Sequence, residues 1–356
     1  MDKKEQIINL WKQNFDDPEE FVRFYFDQKY SDENSLLFEE DGKAMSALLM
    51  LPYPMSWMDT AIKTSYISGA CTQKEARNHG LMTLLLKEAF QEMNKRGIAL
   101  STLIPAEEWL YSYYGNLGYA AVFDYSIKKL SINPERPILP VISPDKFDAD
   151  FANRLLPYFE QKMRSRSCCI QHPGNDYLAI IQENYLSGGR VAATFSPNSV
   201  TPTGWALAIP ENGIIKVKEC FYNSLEEKNA LLHHFSQLWQ IQQLECKTLP
   251  EDNTAQQQGM ARITNALEML QHIARQQPSL SLSIKVSDPQ LPQNEGIYLL
   301  SEGTCKKQEK QDIPTDIETD IPMLTRALLG YHPDQLPSPL SGLAPKQQPY
   351  MNLMLE

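Results

Sequence analysis

Hydrophobic positions recur along this chain with two periods, near 3.6 residues in some stretches and 2 in others, so helices and strands are predicted in turn from end to end. Ile7, Ile8 and Trp11 mark a first helix. Phe15-Asp16-Asp17-Pro18 ends it and starts a second one, with Phe21, Phe24 and Tyr25 as its apolar stripe. Strands are predicted over Leu36 to Phe38 and Met45 to Tyr53, joined by the turn Glu40-Asp41-Gly42-Lys43. Ala61 to Thr72 is the next strand. After a polar loop from Gln73 to Asn78 comes a helix with Leu81, Leu84, Leu85, Ala89 and Met93 at helical spacing and Gly97 as its stop. Ile98 to Ile104 reads as a strand, Pro105-Ala106-Glu107-Glu108 starts a helix with Trp109, Leu110 and Tyr113 inward, and Tyr119 to Leu130 closes the sheet.

The run SINPERPILPVISP, Ser131 to Pro144, holds four prolines without helical period and reads as a linker or crossover. A second alternating region spans Phe147 to about Leu249. Its clearest part is a strand from Ile214 to Tyr222, then a capping box from Ser224 to Glu227 and a helix with Leu231, Phe235, Leu238 and Trp239 apolar. This repeats the earlier strand-to-helix step without the basic loop found there. Past the polar connector EDNTAQQQ, Met260 to Ile263 reads as a strand and Asn265 with Glu268 caps a helix. Leu280, Leu282, Ile284 and Val286 then alternate as a half-buried strand, and Gly296 to Leu300 pairs with it. A last helix begins near Asp320 with Pro322 in its first turn and ends at Gly330. The tail Pro349 to Glu356 is apolar enough to be expected buried.

The chain has 356 residues, enough for two or three domains, and 42% of them are hydrophobic. No apolar run reaches the length of a membrane span, and the charged N-terminus MDKKEQIINLWKQ lacks a signal-peptide core, so a cytoplasmic chain is expected. Six cysteines without a C-x-x-C pair read as reduced thiols. Six histidines without ligand spacing give no metal site, and His233-His234 falls inside a predicted helix. A net charge of −11 argues against nucleic acid and is compatible with a cationic substrate.

The candidate chemistry lies between Ala70 and Tyr119. Arg77-Asn78-His79-Gly80 stands just before a helix whose first N–H groups have no intrahelical partners. Gly80 would let backbone approach a diphosphate, Arg77 would add a charge-assisted bond, and the helix dipole favours an anion there. After the next strand comes Tyr114-Gly115-Asn116-Leu117-Gly118-Tyr119. The pairing of R-x-x-G before a helix with this tyrosine motif resembles the GCN5-related N-acetyltransferases (GNAT). The family's loop reads Q/R-x-x-G-x-G/A; Met82 stands in its last position here.

That resemblance implies an acetyl-CoA site built from Ala70, Cys71, Thr72, Arg77, Asn78, His79, Gly80, Leu81, Met82 and Thr83. It also implies Tyr114 as the acid that protonates the departing thiolate. A covalent route through Cys71 has no His or Asp partner nearby in sequence. Family members build their acceptor pocket from the first two helices, which makes Phe24, Phe26 and Asp27 candidates for binding an amine.

The whole chain resembles the enhanced intracellular survival family of bacterial N-acetyltransferases in architecture. The implied fold class is α/β (α+β): tandem acetyltransferase folds, the second degenerate, and a C-terminal sterol-carrier-like domain. The expected domains are residues 1–130, 131–255 and 256–356. In that family the C-terminal carboxylate enters the active site as a base. Members often end in an aromatic residue, whereas this chain ends in Glu356, which leaves the terminal carboxylate and the Glu356 side chain both open; Glu107 and Glu108 are further candidates. The implied activity is acetyl transfer to the primary amine of a small polyamine-like or aminoglycoside substrate or a lysine, by a homo-oligomer of up to six chains. A longer acyl-CoA as donor, or a non-catalytic binding protein for a small cation or lipid, are the alternatives.

Overall fold

The computed structural model describes residues 2–130, 132, 139–197, 199–251, 253–308 and 314–355. They fall into two compact units, Met1–Phe123 with Gln257–Pro349, and Asp124–Gln256 with Tyr350–Glu356. Among the described residues no helix is long and apolar enough to cross a membrane.

Asp2 caps α1 (Lys3–Lys12) by accepting from the Glu5 N–H, and α1 buries Ile7, Leu10 and Trp11. Following Pro18, α2 (Glu19–Lys29) buries Val22, Phe24, Tyr25 and Phe26, while Phe21 is only half-buried. β1 (Ser35–Glu40) turns into β2 (Lys43–Trp57) through Asp41 and Gly42, both at positive φ, as a tight hairpin turn of this hand requires. β2 pairs antiparallel with β3 (Thr60–Thr72) in a register that slips once: Ala47 lies opposite Cys71 but Leu49 opposite Ser68, so β3 carries an extra residue. Gly69 sits in this bulge at φ +58, and a Cβ there would lie 2.2 Å from the Trp11 ring. Tyr25 adds a buried 2.5 Å hydrogen bond to Ser68 Oγ. Helices α1 and α2 thus brace the bulge from one side.

α3 (Leu81–Lys95) leads from β3 to β4 (Leu100–Leu103), which runs parallel to β3 over Thr64–Tyr66 only. Past that point β3 continues to Thr72 without pairing to β4, and the two strands part. α4 (Glu108–Gly115) and β5 (Ala120–Leu130) follow. The apolar core here gathers Leu48, Met50 and Ile67 from the sheet, Leu85, Leu86, Ala89, Phe90 and Met93 from α3, and Tyr114, Leu117 and Tyr119. Leu84, expected on the apolar face of α3, is 56% exposed. It lies one residue short of the buried Leu85–Leu86 pair, and the core is wide enough for only that stripe.

The second unit contains β6 (Val141–Ile142), α5 (Ala149–Arg164), β7 (Cys169–Ile170), α6 (Asn175–Leu186), β8 (Arg190–Phe195), β9 (Pro202–Glu211), β10 (Ile214–Tyr222), α7 (Leu225–Trp239) and β11 (Leu244–Thr248). Its strands run in the order β5-β11-β10-β9-β8-β6, with β10 and β11 parallel and the other pairs antiparallel. An antiparallel run leading through a helix into a parallel pair repeats the β2-β3-α3-β4 step. Leu231, Leu232 and Phe235 of α7 pack on Ala206, Ala208, Ile215 and Val217, whereas Leu238, expected inward, is 40% exposed. Of the proline-rich stretch, residues 131 and 133–138 lie outside the described residues.

The C-terminal tail belongs to this unit and is buried as expected, with Tyr350 and Met351 fully enclosed. Tyr350 exchanges backbone hydrogen bonds with Cys168 and Ile170 (2.9 and 3.1 Å). Arg166 stacks on the Tyr350 ring and binds Glu219 through both guanidinium branches (2.6 and 3.0 Å). Asn352 donates to Lys218 O at 2.8 Å.

The chain then returns to the first unit. β12 (Gln256–Ile263) pairs antiparallel with β4, Met260 opposite Leu103 and Ile263 opposite Leu100, so this strand completes the N-terminal sheet. Beyond it, α8 (Ala266–Gln276), β13 (Leu282–Ser287), β14 (Gly296–Ser301), β15 (Thr304–Gln308), β16 (Ile317–Asp320) and α9 (Ile321–Leu328) form a four-stranded sheet with two helices, in the strand order β15-β14-β13-β16. Leu282, Ile284 and Val286 face inward as their alternation predicts.

The bulge gives a direct test of this packing. Gly69→Ala combines a left-handed backbone with a clash against Trp11 and is expected to cost about 2–4 kcal/mol, measured by denaturant unfolding.

Candidate active site

The end of β3 and the start of α3 carry the predicted anion loop. Gly80 holds the N-cap position of α3 in the left-handed region (φ 78, ψ 5), and no side chain caps the helix. Leu84 N–H is the first to reach back into the helix ladder, onto Gly80 O at 3.0 Å. The N–H groups of Leu81, Met82 and Thr83 have no acceptor among the described residues, so three donors and the positive end of a 15-residue helix face outward together. Asn78, also left-handed at φ 65, and His79 stand exposed in the loop. Arg77 braces it, donating from Nη2 to Asn14 Oδ1 (2.8 Å) and from Nε to Thr72 O (3.3 Å). Its charge stays at the surface, beside the free helix end.

Ala70, Cys71 and Thr72 form the end of β3 that has parted from β4; Cys71 and Thr72 stay paired to Ala47 and Ser46 of β2. Ser46 Oγ bonds both Cys71 O (3.1 Å) and Thr72 Oγ1 (2.9 Å), which fixes this end against β2. Burial pushes the Cys71 thiol up to about 12, opposed by the positive charge of Arg77. A thiol held that high is protonated at neutral pH and is a poor nucleophile.

Tyr114 lies in the same core cluster as Ile67, Leu85 and Leu86, with Ala70 and Met82 packed at its margin. It is 8% exposed, and its hydroxyl has no hydrogen-bond partner among the described residues. Burial, with a smaller push from Tyr113, raises its hydroxyl to about 12. Neighbouring tyrosines are all engaged: Tyr113 with Thr83 Oγ1 (3.2 Å), Tyr119 with Ser101 Oγ (2.6 Å) and Tyr111 with Gln258 O (3.0 Å). Tyr114 is the free one of the four.

Other predicted residues lie elsewhere. Phe26 is fully buried among Trp11, Tyr25 and Tyr30, and Phe24 is buried on α2. Asp27 is exposed and pairs with Lys4 at 3.0 Å. Glu107 stands at the N-cap of α4 and accepts from Trp109 Nε1 (2.8 Å). Trp109, expected inward, is 60% exposed, since Tyr113 and Tyr114 take the inner face of this short helix. Glu356 lies outside the described residues.

Reasoning from sequence overlooked Arg262 and Asp288. Arg262 is fully buried on β12, bonded to Asp288 Oδ2 and to Leu117 O, both at 2.6 Å. A lone arginine inside the apolar run Met260-Ala261-Arg262-Ile263 was the available signal.

The second unit's counterpart of α3 ends differently. At the start of α7, Ser224 accepts from Glu227 N–H, and Glu227 Oε2 accepts from the N–H groups of Asn223 (2.8 Å) and Ser224 (2.7 Å). A carboxylate of the chain already occupies the place an external anion would take.

Residues 1–122 match the family model of an acetyltransferase (GNAT) domain. The chain carries a GNAT domain and is an acyltransferase. Residues 263–337 match a sterol carrier protein domain. The whole fold is similar to solved structures at low identity. One is a conserved protein of Enterococcus faecalis V583 described as a probable N-acyltransferase (TM-score 0.77, 17% identity, 98% of this chain and 96% of that one). Another is a GCN5-related N-acetyltransferase of Kribbella flavida (0.74, 17%, 99% and 95%). A third is Eis1 of Mycobacterium abscessus (0.71, 13%, 98% and 96%). No curated protein matches the sequence. The fold of this acyltransferase is thus a tandem of GNAT-like folds, the second without an open anion loop, and a sterol carrier domain.

The state of Cys71 is open to measurement. Its raised thiol is expected to resist alkylation by iodoacetamide at pH 8 in the folded protein, read as the unmodified Cys71 peptide by mass spectrometry, and to react on unfolding.

Proposed function

We propose that this acyltransferase moves an acetyl group from acetyl-CoA to the primary amine of a small cationic molecule or a lysine side chain, by direct attack. The observation that carries the reading is the uncapped start of α3: three free N–H donors behind a left-handed glycine, with Arg77 beside them. These groups suit a diphosphate, which Gly80 can approach because nothing lies within 4 Å of where its Cβ would be. Asn78 and His79 border the same loop. Acetyl-CoA supplies the activated acyl group.

The strand end Ala70-Cys71-Thr72, open on the side where β4 has parted from it, would run alongside the pantetheine arm. The bulge at Gly69 supplies backbone not committed to the ladder, suited to the oxyanion that develops on the thioester carbonyl. Tyr114 would hold its proton and give it to the departing sulfur; its unshared hydroxyl is available for that. Direct attack needs no thiol nucleophile, in keeping with the protonated Cys71. The attacking amine must first lose a proton, and the resemblance assigns its acceptor to the terminal carboxylate or the side chain of Glu356. The net charge of −11 favours a cationic acceptor. Of the predicted acceptor set Phe24, Phe26 and Asp27, the exposed Asp27 remains the proposed amine-binding residue, with the two buried phenylalanines packing the helix that carries it. A cytoplasmic homo-oligomer remains the proposed state.

Titration calorimetry tests the donor. Acetyl-CoA is expected to bind, and Arg77→Ala to weaken binding by about 1–3 kcal/mol. Absence of binding to the wild type would overturn the acetyl-CoA reading in favour of a binding protein, while a stronger response to longer acyl-CoA would change the donor.

A steady-state pH series tests the acid. Because the Tyr114 hydroxyl is raised to about 12, it stays protonated through the working range. The rate is therefore expected to climb from pH 6 to 9 as the acceptor ammonium deprotonates, without an alkaline fall below about pH 10, the ordinary tyrosine value. Tyr114→Phe is expected to lower kcat by about 10²-fold with little change in acetyl-CoA affinity.

A further inference from the structure

Tyr114 ends a helix that the N-terminal domain does not hold by itself. α4 has eight residues and stops at Gly115; Leu117 N–H and Tyr119 N–H both return to Tyr114 O (2.9 and 3.2 Å), and Gly118 turns the chain at φ +88. This turn leaves the carbonyls of Asn116 and Leu117 pointing away from the helix. Residues more than 140 positions later take both. Arg262 Nη1 donates to Leu117 O at 2.6 Å, and Gln290 Nε2 donates to Asn116 O at 3.1 Å.

Arg262 is itself fixed from several sides. Its guanidinium lies 4.1 Å above the Phe90 ring of α3, and Nη2 binds Asp288 Oδ2 at 2.6 Å. Asp288 accepts further bonds from Gln290 N–H, Leu291 N–H and Asn294 Nδ2 (3.2, 3.1 and 3.0 Å). Asn294 in turn holds the start of α8 through Ala266 N–H (2.9 Å) and donates to Ile263 O (3.2 Å). Arg262 and Asp288 are 0% and 1% exposed. Gly118 suits the turn because an L side chain is strained at φ +88, and a Cβ would also crowd Arg262 Nη1 at 3.1 Å. A buried guanidinium–carboxylate pair bonded on this many sides has one geometry that satisfies it, and that geometry fixes the turn it grips.

The geometry points to Arg262 as a positioning residue for acyl transfer. Through the Leu117 carbonyl, and with Asp288 and Gln290 behind it, Arg262 sets where the Tyr114 hydroxyl stands relative to the thioester sulfur. The strand β12 and the Asp288–Asn294 loop, which precede and lie within the sterol carrier region, thereby serve the first domain's chemistry without touching substrate. This rests on the acyl-transfer reading above, with Tyr114 as the acid. A donor bound at α3 would be unaffected, because the anion loop shares none of these contacts. What changes is proton delivery to the leaving sulfur.

A double-mutant cycle tests it in the full-length protein. Arg262→Lys keeps the charge but gives up the planar fork that reaches Leu117 O and Asp288 together. It is expected to lower kcat about tenfold while leaving the KM for acetyl-CoA within about twofold, a loss confined to the transition state. In a Tyr114→Phe background the same change is expected to cost almost nothing further, because the acid it positions is gone. Equal losses in both backgrounds, or no loss in either, would overturn the proposal.

Gln290→Ala provides the second arm should Arg262→Lys fail to fold. It removes only the exposed bond to Asn116 O and is expected to lower kcat about two- to fivefold, again only when Tyr114 is present. Calorimetry with acetyl-CoA runs beside both variants. Binding that is absent in the wild type counts against the proposed donor, whereas normal binding with an additive cycle counts against Arg262 alone.

Discussion

A guanidinium taken wholly out of water must place its donors on acceptors, and at Arg262 that requirement ties together three stretches of sequence. Burial pulls its pKa down, and the carboxylate of Asp288 opposes the shift. Leaving either partner alone in that interior would cost about 3–5 kcal/mol. The β12 strand, the Leu117-Gly118 turn and the Asp288–Asn294 loop are therefore bound to form together or not at all. A hydrophobic pair could have filled the same space at similar stability, but it would not have fixed a direction. The ion pair with its carbonyl bond specifies one register of β12 against β4 and one position for the end of α4.

The two GNAT-like folds in this chain differ most at a helix start, and the difference is one of satisfied against unsatisfied donors. At α7 the capping box meets the first N–H groups with Ser224 and Glu227, and a negative charge sits on the helix dipole. At α3 Gly80 supplies the conformation and nothing else. An uncapped helix gives up about 1 kcal/mol of stability. That loss is recovered only when an anion arrives, so the open end is poor as scaffold and good as a site. The second fold takes the opposite arrangement and keeps its shape at the expense of a place to bind.

The elements of both folds were legible because local chemistry decides them: the Asp41-Gly42 turn, the Ser224 capping box, the alternation at Leu282, Ile284 and Val286, and the anion loop all act over a few residues. Side-chain placement on short helices was less legible. Trp109 occupies a helical position that could face either way, and only the packing of Tyr113 and Tyr114 against Thr83 and the core turns it outward. The pairing of β12 with β4 joins residues about 160 apart, and nothing in either strand names the other. Arg262 did announce itself, as a charge in an apolar strand, but its partner Asp288 lies in a polar loop that reads like any other turn.

Burial acts in the same direction on Cys71 and Tyr114, and the consequences for the chemistry are opposite. Both groups are raised to about 12 by loss of solvent. For a nucleophile this is disabling, since the thiolate is the reactive form and none is present near neutral pH. For an acid it secures the proton but makes its full transfer uphill, since a thiolate with an ordinary thiol value of about 8.5 is a weaker base than this phenolate. The phenol helps by hydrogen-bonding the charge that develops on the leaving sulfur, with the proton passing as the C–S bond breaks. A phenol of this kind is effective only within hydrogen-bond reach, because its own acidity gives no help over distance. The tighter its burial makes its proton, the more the reaction depends on where the ring is held. That dependence joins the core of the N-terminal domain to the strand and loop that grip the end of α4.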